Sequence, residues 1–168
     1  MPKVKRFFLE LKKDKKLNQP IIFPKNVKIL QDIKKDININ KFFYRQIGKD
    51  HFWRDRLLWS DNEWSKYIRN ENLETGIMKI NDNLVGFYEQ ETHKEKNEIE
   101  LIQMGVLKEY QGKKLGSYLL KHIIQDAFRR NVERIWVHTC SLDHKHALDN
   151  YLSRGLKIFR KEEVDFIP

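Results

Sequence analysis

The stretch GVLKEYQGKKLGSYLL, residues 105–120, decides the fold because it joins the end of a strand to the start of a helix. From residue 115 to 128, apolar residues recur at helical spacing, which predicts a helix of about four turns with one broad apolar face. NEIELIQMGVL before it and RIWVHTCS after it read as strands. Because a helix joins these strands, we expect them to run parallel. The loop 111–116 then lies at a helix amino terminus, where free amides and the helix dipole favour phosphate.

The remaining segments predict an α+β fold. VKRFFLEL reads as a strand, NKFFYRQIGKDHFW as a helix and loop, and ETGIMKI, LVGFYEQETH and NEIELIQMGVL as an antiparallel meander. SDNEWSKYIRN opens with Ser60 and Glu63 at capping-box spacing, which predicts a second helix. DHKHALDNYLSR and LKIFRKEEVDFI close the chain as a short helix and a strand. We therefore expect a mixed, mostly antiparallel sheet of six to seven strands, flanked by about four helices.

Composition limits the classes of protein to consider. A length of 168 residues with 40% hydrophobic residues predicts a single domain, 1–168, with a substantial core. No apolar run is long enough for a bilayer span or a signal peptide, so we expect a cytoplasmic protein. Cys140 is the sole cysteine, which excludes an internal disulfide and a zinc site built from several cysteines.

The net charge of +9 is concentrated at one end. Residues 1–28 hold nine Lys or Arg residues against two acidic residues, so 1–30 reads as a basic strand and connection. A nucleic-acid-binding module would use these lysines together with aromatic stacking platforms. The lysines and aromatics are segregated in the sequence, which disfavours nucleic acid as a partner.

Several segments resemble the GNAT superfamily of N-acetyltransferases. In its acyl-CoA-binding motif, a strand ending in Val leads through a Gln/Arg-x-x-Gly-x-Gly/Ala loop into a helix, and Gln111, Leu115 and Gly116 match. HTCSLDHKHALDNYLSRGLKIF resembles the closing strand, helix and strand of the superfamily. FYRQIGKDHFWRDRLLWSDNEW is similar to a sub-group of uncharacterised bacterial members. The resemblance implies a GNAT-like sheet with a parallel strand pair at the CoA site, and direct acetyl transfer from acetyl-CoA to an amine.

The resemblance also implies the residues that bind acetyl-CoA. The loop and helix start would hold the pyrophosphate, the strand end would pair with the pantetheine arm, and His144 stands where many members carry an Asn that contacts this arm. No metal is required for this chemistry. The implied binding residues are Met104, Gly105, Val106, Gln111, Gly112, Lys113, Lys114, Leu115, Gly116, Ser117 and His144.

One position departs from the motif, because Lys114 replaces the usual middle glycine. If that position needs a positive φ, Lys114 stores roughly 1–3 kcal/mol of strain. Alternatively, the loop stays helical there, Gly112 supplies the flexibility, and Lys113 and Lys114 add charge toward the phosphates. We favour the second alternative.

Two residues are candidates for the catalytic chemistry. The resemblance implies that Tyr151 protonates the departing CoA thiolate, and a phenol with a pKa of about 10 suits that role. It also places Glu100 at a position where several members carry a catalytic glutamate, which makes Glu100 the candidate for the base. Strand alternation would align Glu100 with Ile102, Met104 and Val106. Core packing is the alternative for Tyr151, and a lysine-paired edge residue is the alternative for Glu100. Glu89, Glu91 and Glu98 compete for the role of the base, and a proton relay through water also stays open.

The acceptor is not fixed by the sequence. A small amine, a protein amino terminus and a lysine side chain all stay open, as does a homodimer. The aromatic cluster Tyr44, Phe52, Trp53, Trp59 and Trp64, with Arg45, Asp55 and Arg56, lies in the region that borders the acceptor in this superfamily. We expect most of these residues to pack in the core and one or two to face the acceptor. A catalytically silent acyl-CoA-binding protein is the alternative function.

Overall fold

The computed structural model describes residues 2–14 and 20–166. It contains the predicted elements and one additional edge strand, β2. Lys15 and Lys16 of the basic segment lie outside the described residues. The strands are β1 (Lys3–Lys12), β2 (Val27–Gln31), β3 (Leu73–Ile80), β4 (Asn83–His93), β5 (Glu98–Val106), β6 (Arg134–Cys140) and β7 (Lys157–Asp165), and the helices are α1 (Ile37–Gly48), α2 (Asp61–Ile68), α3 (Leu115–Arg129) and α4 (Ala147–Ser153).

The seven strands form one sheet in the order β2-β3-β4-β5-β6-β1-β7. β5 and β6 run parallel, and every other neighbouring pair runs antiparallel. The prediction of a mixed, mostly antiparallel sheet with a parallel pair beside α3 is therefore confirmed. β1 lies between β6 and β7, although it precedes both by more than a hundred residues.

The two faces of the sheet carry separate cores. Leu119, Leu120 and Ile123 of α3 are fully buried against one face, as the helical spacing predicted. On the other face, the Phe43 ring of α1 stacks on the Phe87 ring of β4, with 4.9 Å between their centres. The sheet is therefore held between α3 on one side and α1 on the other.

Side-chain caps fix where α1 and α2 begin. A carboxylate oxygen of Asp36 accepts from the Asn38 amide at 2.9 Å. The predicted capping box of α2 is confirmed, because Ser60 Oγ accepts from the Glu63 amide at 3.2 Å and the Glu63 carboxylate accepts from the Ser60 amide at 2.7 Å. None of the helices in the described residues is long and apolar enough to cross a bilayer.

Candidate active site

β5 and β6 separate part-way along their length. Their parallel ladder ends at Leu101 beside Val137, whereas β5 continues to Val106 and β6 to Cys140. The edge of residues 102–106 that faces β6 therefore has no strand partner among the described residues. A cavity of about 780 Å³ opens in this gap, and strand ends, the α1–α2 loop, the loop before α3 and α4 line it.

A bulge in β5 changes which side chains share a face. Ile102 is an extra residue between two ladder pairs with β4, and such an insertion reverses the side-chain alternation that follows it. Leu101 and Met104 consequently pack in the same core although they are three residues apart. Glu100 therefore lies on the opposite face from Met104 and Val106, and its predicted alignment with them is wrong.

The loop before α3 contains two left-handed residues. Lys114 has φ +61° and ψ +15°, and Gly112 has φ +80°. The favoured alternative, a helical Lys114, is therefore wrong, because the chain needs a positive φ at both positions. A side chain in this conformation costs roughly 1–2 kcal/mol. The loop thus stores strain directly before the first residue of α3.

Nearly all the residues predicted to bind acetyl-CoA line this one cavity. Lys113 is the exception, since its ammonium nitrogen lies 5.6 Å from the centre of the Tyr110 ring and outside the lining. The side-chain amide of Gln111 donates to the Val106 carbonyl at 3.2 Å, which ties the loop to the end of β5. The predicted residues in the lining are Met104, Gly105, Val106, Gln111, Gly112, Lys114, Leu115, Gly116, Ser117, His144 and Tyr151.

His144 lies in the turn before α4, because this helix begins only at Ala147. The predicted helical relation between His144 and Tyr151 is therefore wrong, although both residues line the cavity. His144 Nδ1 accepts from the His146 amide at 3.2 Å, which leaves Nε2 as the N–H donor of a neutral ring. Burial and the neighbouring His51 and His146 lower the pKa of His144, so the ring is neutral at neutral pH. It can donate a hydrogen bond as an asparagine amide would.

The Tyr151 side chain is only 7% exposed and lines the cavity from α4. Its hydroxyl forms no hydrogen bond with any residue in the described part of the chain. Burial raises the pKa of this hydroxyl, and the nearby Asp143 carboxylate raises it further. Tyr151 therefore stays protonated at neutral pH and can donate to a ligand.

Asp143 is a cavity residue that the sequence did not reveal. One carboxylate oxygen accepts from Thr139 Oγ1 at 2.5 Å and from the Cys140 amide at 3.0 Å. The other accepts from Trp53 Nε1 at 3.4 Å. Trp53 is 90 residues away in the chain, so no local pattern could have identified this pair.

The predicted aromatic cluster forms two overlapping sets, which share Tyr44. Phe52, Trp53 and Asp55 line the cavity together with Tyr44, whereas Arg45 does not. The second set surrounds a buried guanidinium and is called the Arg56 cage. It consists of Arg56, Glu89 and the rings of Tyr44, Trp59, Trp64 and Tyr67, whose centres lie 4.2–5.7 Å from the guanidinium carbon.

Glu89 and Glu100, two candidates for the base, both lie outside the cavity lining. Glu89 is fully buried and pairs with Arg56 at 2.9 Å. A carboxylate oxygen of Glu100 lies within hydrogen-bond distance of His93 Nε2, at 3.1 Å. Glu91, His93 and Glu100 place one potential metal-ligand atom each within 4.8 Å of one another. The role of Glu100 as a base stays a prediction, and so does the expectation that no metal is needed.

A comparison with known protein families matches most of the chain. The model of the family described as Acetyltransferase (GNAT) family matches residues 37–156, which include the cavity residues from α1 to α4. Among curated protein sequences, none matches the chain.

Solved structures of similar fold carry low sequence identity. A GCN5-related N-acetyltransferase from Sphaerobacter thermophilus has a TM-score of 0.70 at 13% identity, covering 96% of this chain and 50% of that one. An aminoglycoside acetyltransferase from an uncultured soil metagenomic sample has a TM-score of 0.64 at 16% identity, covering 77% of this chain and 88% of that one.

The ribosomal-protein-S18-alanine N-acetyltransferase from Escherichia coli has a TM-score of 0.61 at 19% identity, covering 77% of this chain and 76% of that one. For several of the matched structures, including the one from Sphaerobacter thermophilus, the chain spans only 50–60% of the matched structure. At these identities, the likeness shows the fold alone.

Proposed function

The chain belongs to the acetyltransferase (GNAT) family, and from this premise we propose that it is an N-acetyltransferase that moves the acetyl group of acetyl-CoA directly to a primary amine. One observation carries the proposal. The start of α3 and the hydroxyl-bearing Tyr151 both face the gap between the separated ends of β5 and β6. An anion-binding helix start and a proton donor thus share one cavity, which is the combination that thioester transfer needs.

The residues present fit acetyl-CoA. A Cβ added to Gly116 would meet only the Asn150 amide nitrogen, at 3.9 Å, and one added to Gly112 would meet nothing within 4 Å. This open space lets backbone amides approach a pyrophosphate closely. Lys114 lines the same wall and supplies positive charge. The unpaired edge of residues 102–106 offers backbone groups to the pantetheine amides, and His144 offers an N–H donor.

The chemistry requires three proton movements, because the amine nitrogen loses two protons and the thiolate sulfur gains one. A neutral amine nitrogen forms a bond to the acetyl carbonyl carbon and loses a proton to solvent as the amide forms. The carbon–sulfur bond breaks, the leaving thiolate takes a proton, and solvent then returns a proton to the proton donor. Tyr151 donates the proton that the thiolate takes. Its raised pKa keeps the hydroxyl protonated, and no described residue forms a hydrogen bond with this hydroxyl. The acceptor ammonium must first lose a proton, because its pKa lies near 10.

Glu100 is retained as the proposed final acceptor of the amine proton, with a relay through water. It does not line the cavity, so direct contact with the amine is not part of the proposal. A glutamine in its place should slow turnover less than loss of the Tyr151 hydroxyl, because solvent can replace the end of a water relay.

The acceptor is proposed as an amine borne by a small molecule or by a protein. Among similar folds, one acetyltransferase is named for aminoglycosides and another for the alanine of ribosomal protein S18. Both kinds of acceptor belong in the test, because acceptor choice depends on side chains that differ at such low identity. A cytoplasmic location and a homodimer stay predictions.

Acetyl-CoA binding is the first test, measured by calorimetry and by the thermal shift. Gly116→Asp places a carboxylate at the start of α3, where the helix dipole tolerates it but a pyrophosphate is repelled. We expect wild type to bind, and Gly116→Asp to lose at least tenfold in affinity with little change in melting temperature. Lys113→Ala is the matched control, since Lys113 does not line the cavity, and it should bind like wild type.

Turnover is the second test, measured as free CoA thiol released with a panel of amines and peptides. Absence of binding by any acyl-CoA would remove the proposed function altogether. Binding without thiol release from any acceptor would instead support the catalytically silent alternative.

A further inference from the structure

Three consecutive residues of the α1–α2 loop reach across the cavity. These residues, His51 to Trp53, are called the strap. The His51 ring lies 5.7 Å from the His144 ring, and the Phe52 ring lies edge-on to Phe166 at 5.5 Å. Trp53 Nε1 donates to Asp143 Oδ1 at 3.4 Å. The strap belongs to the wall formed by α1 and the α1–α2 loop, which is called the acceptor wall. It joins this wall to the turn before α4 and to Phe166, which follows β7.

The backbone of the strap is held in an unfavourable conformation. Phe52 has φ +59°, which is uncommon for any residue with a side chain and most unfavourable for a bulky one. Such a conformation persists only where the surrounding contacts determine it. On its own side, the strap is held by the Gly48 carbonyl, which accepts from the His51 and Trp53 amides at 3.0 and 3.1 Å. Across the cavity, it is held by the contacts of His51 with His144 and of Trp53 with Asp143.

Asp143 is the anchor for this arrangement. Its two oxygens accept three hydrogen bonds, from Trp53, Thr139 and Cys140, and all three donors are uncharged. One oxygen fixes the turn that leads to His144, while the other fixes Trp53. A single carboxylate therefore links the acceptor wall, through Trp53, to the turn that leads to α4 and Tyr151.

We propose that Asp143 is a positioning residue for the acceptor, which acts by holding Trp53 and the strap in register with the turn before α4. This inference rests on the proposed acetyl transfer. The acceptor amine must approach the thioester within a narrow range of angles and distances, so a displaced wall weakens acceptor use. Loss of the Trp53 N–H alone leaves the acetyl-CoA contacts along β5, at the start of α3 and at His144 in place, so donor binding is unaffected by that change.

The test compares Asp143→Asn, Trp53→Phe and the double variant. An asparagine offers one accepting oxygen, so it can serve either the turn or Trp53 but not both. Phenylalanine keeps a ring at position 53 and removes only the N–H donor. Asp82→Asn in the exposed β3–β4 turn is the matched control. KM and kcat are measured with the amine of the panel that wild type acetylates fastest, and acetyl-CoA affinity is measured by calorimetry.

We expect each single variant to raise the acceptor KM roughly tenfold, because each loses one hydrogen bond to a charged group. The double variant should be no worse than the more impaired single variant, since both remove the same link. The acetyl-CoA affinity of Trp53→Phe should stay within about twofold of wild type, and Asp82→Asn should match wild type throughout.

Three results would overturn the inference. They are an unchanged acceptor KM in Trp53→Phe, an additive loss in the double variant, and a loss of acetyl-CoA affinity in Trp53→Phe as large as its loss of acceptor affinity. Because Trp53→Phe keeps its ring, it tests the link even if Asp143→Asn fails to fold. A wild type that binds no acyl-CoA or acetylates no amine removes the proposed function and the inference together, whereas active wild type with unaffected variants removes the inference alone.

Discussion

The Arg56 cage and the cavity around Tyr151 have similar compositions, but their buried tyrosine hydroxyls have opposite states of pairing. Each contains a buried tyrosine, a carboxylate and a wall of aromatic rings. In the cage, the Glu89 carboxylate accepts from Arg56 at 2.9 Å, from Tyr67 at 2.7 Å and from Asn40 at 2.8 Å. In the cavity, the Tyr151 hydroxyl has no partner among the described residues.

The difference shows how to separate structure from function in a sequence rich in aromatic residues. Buried polar groups that are fully paired stabilise the fold and have no capacity left for a ligand. A buried polar group without a partner is costly unless a ligand or water completes it. Residue type alone does not distinguish the two regions, whereas hydrogen-bond partners do.

The largest effect should come from breaking the cage. Arg56→Met leaves the Glu89 carboxylate buried without its cation, and removing one member of such a pair typically destabilises by about 3–5 kcal/mol. Equilibrium unfolding in urea, followed by circular dichroism, measures the free energy of unfolding. Lys94→Met, which removes an exposed pair with Glu71, is the control and should match wild type. Equal stabilities for the two variants would contradict the structural role of the cage.

The next effect is catalytic and lies in the cavity. Tyr151→Phe removes a hydroxyl that no described residue bonds, so the free energy of unfolding should change little. Turnover should fall about 100-fold, the usual loss when a general acid is removed. Because the pKa of Tyr151 is raised, the hydroxyl keeps its proton on the alkaline side. The wild-type kcat should therefore show no fall due to Tyr151 up to about pH 10. Unchanged turnover under conditions where chemistry limits the rate would exclude Tyr151 as the acid.

The same substitution in the cage should give the reverse result. Tyr67→Phe removes a hydroxyl that donates to Glu89 and accepts from Arg56, and burial and Glu89 raise the pKa of this hydroxyl. We expect a loss of about 1–3 kcal/mol in unfolding free energy with kcat close to wild type. The pair of tyrosine variants thus tests the comparison directly by urea unfolding and thiol release. A fall in the kcat of Tyr67→Phe that exceeds its loss of folded protein would show that the cage also contributes to catalysis.

Several features of the fold could be predicted because they are local in sequence. The apolar spacing of α3, the capping box at Ser60 and Glu63, and the loop at Gln111 each depend on neighbouring residues only. The resemblance to the GNAT superfamily implied the binding residues between Met104 and Ser117, and all of those named except Lys113 line the cavity. These predictions needed no knowledge of the sheet order.

Other features depend on residues far apart and could not be derived. The bulge at Ile102 changes which face Glu100 occupies, and its position is set by pairing with β4. Arg56 meets Glu89 across 33 residues, and Trp53 meets Asp143 across 90. β2 is short and half exposed, so it carried too little apolar pattern to be recognised. The conformation of Lys114 required the loop geometry itself.

The smallest effect should arise at the strained loop. Lys114→Gly relieves the cost of a positive φ, roughly 1–2 kcal/mol, but the more flexible unfolded chain offsets about 0.4–1 kcal/mol of it. We expect a stability gain of at most about 1 kcal/mol in urea unfolding. Lys114→Ala keeps the strain and removes the charge, so both variants should weaken acetyl-CoA binding while only the glycine raises stability. A glycine variant less stable than the alanine variant would contradict the strain.

The position of β1 sets the order of events during synthesis. β1 is made before every other strand, yet its neighbours in the sheet are β6 and β7, which are made last. The backbone of β1 therefore has neither of its partner strands until more than a hundred further residues have been synthesised. Pairings of such long range slow folding and leave strand edges open to aggregation. The wall that supports the cavity is therefore completed only when the two ends of the described chain meet.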